Sequence, residues 1–127
     1  MVNEGFNRLR DEFPLFIACQ NGYARTAEVL IRHGFSINAQ VLLPKQNSIL
    51  RFRLKVRKSD GAPPLFVAAQ NGHLDVVKYL VEHGAAIDSP RNTGATPLFI
   101  ACQHGHTNVA TYLIKKGAQV SAPTKKV

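Results

Sequence analysis

A chain of 127 residues with 45% hydrophobic and 19% charged residues has the makeup of one globular domain. Its 16 Lys and Arg against 8 Asp and Glu leave a formal charge of +8, which invites an acidic partner such as nucleic acid. These figures exclude collagen-like and disordered chains, no apolar run approaches the roughly 18 residues of a membrane span, and two cysteines are too few for a disulfide scaffold.

The N-terminal residues Met1, Val2, Asn3, Glu4 and Gly5 lack a basic segment followed by an apolar stretch, so no secretory signal and an intracellular location are expected. Phe6 and Leu9 are candidates to cover the near end of the helices downstream.

The first predicted helix starts at Pro14-Leu15-Phe16-Ile17-Ala18-Cys19 and stops at Asn21-Gly22. Pro suits the first helical position, where its missing N–H costs nothing, and Gly suits the stop. A second short helix comes next, with Val29, Leu30 and Ile31 apolar, and closes at His33-Gly34.

Residues 39–58 break the pattern. They hold Lys45, Arg51, Arg53, Lys55, Arg57 and Lys58 and no acidic residue, so the rest of the chain keeps a net charge of only +2. Leu50-Arg51-Phe52-Arg53-Leu54-Lys55-Val56-Arg57 alternates strictly, which is the period of a strand. A β-finger at 40–58, or a loop, is expected. Lengthening a turn from about 9 to about 26 residues costs only on the order of 1 kcal/mol of closure entropy.

The helix pair then returns. Pro64-Leu65-Phe66-Val67-Ala68-Ala69-Gln70-Asn71-Gly72-His73 leads into Val76, Val77, Leu80 and Val81 and closes at His83-Gly84. After the turn Asp88-Ser89-Pro90-Arg91-Asn92-Thr93-Gly94 it returns again, as Pro97-Leu98-Phe99-Ile100-Ala101-Cys102-Gln103-His104-Gly105-His106, closing at Lys116-Gly117. The three prolines are spaced by 50 and then 33 residues. The unit is therefore 33 long, with 17 extra residues in the first interval. Thr96 offers a capping hydroxyl before Pro97, whereas Phe13 and Pro63 offer none at the same place.

This grammar resembles the ankyrin repeat: Gly94-x-Thr96-Pro97-Leu98, then Ala68-Ala69-x-x-Gly72-His73, then Leu80-x-x-x-Gly84-Ala85. The resemblance implies a single all-α solenoid domain over residues 1–127, with stacked helix-turn-helix units and projecting hairpin loops. Its repeats fall at about 11–38, 59–89 and 92–122, with the insertion at about 39–58. One departure is Phe where the family has His, at Phe16, Phe66 and Phe99. That row reads as a core ladder or as an aromatic platform for bases.

The resemblance also implies a monomeric module that binds another protein, with no catalytic chemistry and no cofactor. The family's variable contact positions on its concave side map to Gln20, Asn21, Gln70, Asn71, Gln103 and His104. On the turn tips they map to Ser59, Asp60 and Ala62, then Asn92, Thr93 and Ala95. Arg51, Arg53, Lys55 and Arg57 extend that side if the insertion is ordered. Three readings of the insertion stay open: a partner-specific finger, a passive insertion whose charges keep an exposed strand soluble, or a site for a polyanion, whether nucleic acid or anionic lipid.

Repeat grammar places four of the five histidines, and no metal-ligand spacing exists among them. Cys19 and Cys102 hold one repeat position two stacking steps apart, on the order of 20 Å, which excludes a disulfide. Both read as small core residues. Asn108, Thr111 and Lys115 read as a partly polar outer face on the last unit.

Overall fold

The computed structural model describes residues 14–39, 62–90 and 94–120. Six helices form among them: α1 over residues 14–21, α2 (Ala24–Arg32), α3 (Pro64–Gln70), α4 (Leu74–Glu82), α5 (Pro97–Gln103) and α6 (Thr107–Lys115). No extended strand forms among the described residues. The expected β-finger at 40–58 lies outside them.

Each pair is built by the same local chemistry. Pro64 and Pro97 occupy the first helical turn. Oγ1 of Thr96 accepts from the N–H of Phe99 at 3.2 Å, while the start of α3, preceded by Pro63, has no side-chain cap. The first helix of each pair then stops at a glycine turn, and the second leaves it almost at once.

Packing follows the pairs. α3 lies against α4 and α5 against α6 within a pair; between pairs, α3 lies on α5, α2 on α4 and α4 on α6. First helices thus form one layer and second helices another, as a stacked repeat requires. Ala18, Ala68 and Ala101 are fully buried at one repeat position, and small side chains there let the helices approach closely. Phe66 is fully buried between its neighbours, which is worth roughly 2–3 kcal/mol of apolar transfer. On the second layer, the Tyr112 hydroxyl donates to Oε2 of Glu82 at 3.5 Å. Its ionisation is pushed up, first by desolvation and then by that carboxylate.

Three expectations fail at the end of the stack, the first two for one reason. The phenylalanine row is a core ladder at Phe16 (6% exposed) and Phe66 (0%), but Phe99 is 42% exposed. Cys19 is buried, but Cys102 at the same repeat position is exposed. A residue on this side of a pair is buried by the pair that comes next, and none of the described residues lies beyond the third. Asn108, Thr111 and Lys115 do not supply a polar end face. They are exposed where Asp75, Lys78 and Glu82 are exposed in the middle pair, on the flank of the second-helix layer.

Candidate partner-binding surface

The predicted contact residues of the first helices fall at equivalent places. Gln70 and Gln103 are the last residues of α3 and α5, with Asn71 and His104 directly after them, and at the same repeat positions Gln20 and Asn21 are the last two residues of α1. This second position has a local task. Nδ2 of Asn21 donates to the carbonyl of Ile17 at 3.1 Å, and Nδ2 of Asn71 donates to Val67 at 3.0 Å. The ring Nδ1 of His104 meets the carbonyl of Ile100 at 3.2 Å. Each adds a second donor to a carbonyl at a helix end; those of Val67 and Ile100 also accept from the backbone N–H of Asn71 at 3.2 Å and of His104 at 3.1 Å. The side chains are thereby held at fixed angles at the rim of the first-helix layer, and all three remain exposed.

The glutamines bind in a different way. The backbone carbonyl of Gln20 accepts from Nε2 of His73 at 2.9 Å, and that of Gln70 accepts from Nε2 of His106 at 3.0 Å. Each of these histidines reaches back from the head of a second helix to the end of the first helix in the preceding pair. A close approach makes room for the ring. A β-carbon on Gly22 would lie 2.6 Å from Nδ1 of His73, and one on Gly72 would lie 2.6 Å from Nδ1 of His106. Both glycines also hold a positive φ, near +79° and +74°.

A second bond closes each interface at the far side of the pair. Oδ1 of Asn38 accepts from the N–H of Ala86 at 3.0 Å, and Oδ1 of Asp88 accepts from the N–H of Gln119 at 3.1 Å. Two independent tethers at the same repeat positions fix the pitch from pair to pair. The rim residues therefore form a regular row rather than a scatter.

The remaining histidines are also committed to backbone carbonyls. Nδ1 of His33 meets the carbonyl of Val29 at 2.8 Å, and Nδ1 of His83 meets that of Tyr79 at 2.9 Å. All five histidines thus serve helix ends or the joints between pairs. Among the described residues no group of three or more His, Cys, Asp or Glu is arranged to hold a metal ion. Burial pushes the Cys19 thiol up to about 12, so near neutral pH it stays protonated and unreactive.

The turn tips differ from the expected contact pattern. Ala62 and Ala95 are buried, at 7% exposure each, so they are core residues and not contact positions. Ser59, Asp60, Asn92 and Thr93 lie outside the described residues, as do Arg51, Arg53, Lys55 and Arg57. The tethers through His73 and His106 went unread in the sequence. Their signal is the Gly-His pair at the head of each second helix, which reads as a turn until the stacking distance is known.

Comparison with known families agrees with this geometry. A family model described as ankyrin repeats (3 copies) matches residues 39–124, and one described as ankyrin repeat matches residues 11–41. No curated protein matches the chain. Ankyrin repeats are generally protein–protein interaction modules and are typically non-catalytic. Among the described residues no helix is long and apolar enough to cross a membrane.

Proposed function

The chain belongs to the ankyrin-repeat family, and on that premise we propose that it is a non-catalytic module that captures another protein along the rim of its first helices. The contact row is Gln20, Asn21, Gln70, Asn71, Gln103 and His104, with Ser59, Asp60, Asn92 and Thr93 on the adjoining turn tips. The module works as a single intracellular domain over residues 1–127. The observation that carries this reading is the double tether between pairs, His73 to Gln20 and Asn38 to Ala86, then His106 to Gln70 and Asp88 to Gln119. It holds a polar row at constant pitch without using up the rim side chains of Gln70 and Gln103. A rigid, pre-ordered row loses little entropy on binding, which favours affinity and specificity.

The test is a pull-down with Gln70, Asn71, Gln103 and His104 all replaced by alanine. Partners recovered by the native chain are expected to be lost while the circular dichroism spectrum stays helical. Recovery of the same partners by the variant would refute the placement of the site.

A second reading rests on the six basic residues of the insertion, which no acidic residue balances. Arg51, Arg53, Lys55 and Arg57 would then hold a polyanion, nucleic acid or anionic lipid, with affinity that falls steeply with salt. Deleting residues 42–57 separates the two readings. Salt-sensitive heparin binding that disappears on deletion supports the polyanion site. No heparin binding at low salt with the insertion present excludes it.

A further inference from the structure

We propose that the rim row recognises the main-chain N–H groups of an extended, uncharged partner segment, through hydrogen-bond acceptors at Asn21, Asn71 and His104. The inference rests on the rim reading above and names the partner chemistry that this rim selects.

The acceptor character follows from the bonds at the helix ends. A carbonyl oxygen only accepts, so the side-chain nitrogen that meets it donates. Nδ2 of Asn21 and Nδ2 of Asn71 are engaged in this way with Ile17 and Val67, and Oδ1 of each is left to accept. Nδ1 of His104 is engaged with Ile100, so the neutral ring has only the Nε2 lone pair to offer. The ring is also held in place by His106, which stacks on it at 6.2 Å between centroids. Each amide keeps one further N–H, but the imidazole keeps none. Acceptance is therefore the one capacity that all three positions share, and a ligand that follows the row must donate to it.

Charge narrows the donor. Among the described residues the first helices carry no Asp, Glu, Lys or Arg. Glu28 and Arg32 on α2, Asp75 and Lys78 on α4, and Lys115 on α6 stand in the other layer. A cationic side chain laid along the first helices finds no described carboxylate there to pair with, and the chain as a whole carries +8. Neutral main-chain amides meet neither obstacle.

Spacing favours an extended segment. The acceptors lie one stacking step apart, on the order of 8–10 Å. In a polyproline II segment every third residue repeats one orientation, at about 9 Å, and its N–H groups have no internal partner. A β-strand repeats an orientation at about 7 Å and falls out of step along the row.

The probe is a phage-displayed library of random linear peptides selected against the native chain. Binders are expected to be poor in Asp, Glu, Lys and Arg, with affinity that holds from low to high salt. Exchanging single backbone amides of a binder for esters removes one N–H at a time. Losses of about fivefold, the worth of one hydrogen bond, are expected at sites three residues apart. On the protein, Asn71→Lys and His104→Lys put a donor where an acceptor stood. Both residues hold φ near −97°, so the exchange strains no backbone, and a cation suits a helix C-terminus. Each is expected to weaken binders about tenfold while the circular dichroism spectrum stays helical. His104→Asn copies the arrangement at Asn71 and is expected to keep native affinity.

Binders that tolerate both lysine variants and every ester, yet are lost when Gln70, Asn71, Gln103 and His104 are all alanine, overturn acceptor recognition and leave the rim site standing. Binders that ignore the four alanines as well remove the rim site and the proposal together. A selection that returns only charged binders, or none, also overturns the proposal.

Discussion

The Nε2 of His73 donates to the carbonyl of Gln20 across 53 positions of sequence, at 2.9 Å. His106 makes the same bond to Gln70 across 36 positions, at 3.0 Å. The difference of 17 is the extra length of the insertion, so the pairs dock in one register on either side of it. Removing either histidine leaves a half-buried carbonyl without its donor, which costs about 1–2 kcal/mol. His73→Ala and His106→Ala are therefore expected to destabilise the fold by similar amounts in urea unfolding. A cost confined to His106→Ala would mean that the first joint is loose.

The glycines under these rings give a sharper contrast. Gly72→Ala sets a β-carbon 2.6 Å from the His106 ring and strains a backbone at φ +74°. Gly105→Ala strains a similar backbone but meets none of the described residues within 4 Å. The strain alone costs about 1 kcal/mol, and the clash adds at least as much again. Gly72→Ala is expected to lower the urea midpoint clearly further than Gly105→Ala.

Capping separates the second and third pairs. Thr96→Ala removes the bond from Phe99 N–H and is expected to cost about 1 kcal/mol, whereas Thr96→Ser keeps the oxygen and is expected to cost far less. Thermal or urea unfolding of the two variants reads the difference directly.

The two cysteines should part company in both reactivity and pH dependence. Cys102 is exposed and is expected to react with a thiol reagent in the native protein, while Cys19 reacts only after unfolding. The unfolded thiol of Cys19 ionises near 9.0 and the buried one near about 12. Between those values the unfolded chain loses a proton that the folded chain keeps. Stability is therefore independent of this group below pH 9 and falls above it, by up to about 1.4 kcal/mol per pH unit. Cys19→Ala is expected to flatten the decline in unfolding free energy between pH 9 and pH 11.

Much of the fold is legible in the sequence because its signals are local. Pro64 and Pro97 start helices, Gly22 and Gly72 stop them, Thr96 caps one, and the 33-residue spacing says that the pairs stack. What the sequence hides is what a residue meets beyond its own pair. Phe66 and Phe99 are the same letter in the same phase, yet one is enclosed and the other open, because among the described residues only the first has a pair after it. Asn21, Asn71 and His104 are readable as rim residues, but their bonds to the carbonyls four positions earlier emerge only once the helix ends are placed. His73 and His106 fill a family position, and their partners Gln20 and Gln70 become visible only when two pairs are set side by side. Ala62 and Ala95 look like turn residues by position, but the adjoining helix starts draw them into the core.

Capture at the rim requires that a partner meet the first-helix side of the stack and not the second-helix flank. Photo-crosslinking amino acids placed singly at Gln70 and Gln103, on the rim, and at Lys78 and Thr111, on the flank, measure this directly. Adducts with one and the same protein are predicted from the rim positions, with none from the flank positions. Adducts from Lys78 and Thr111 with none from Gln70 and Gln103 would contradict capture at the rim.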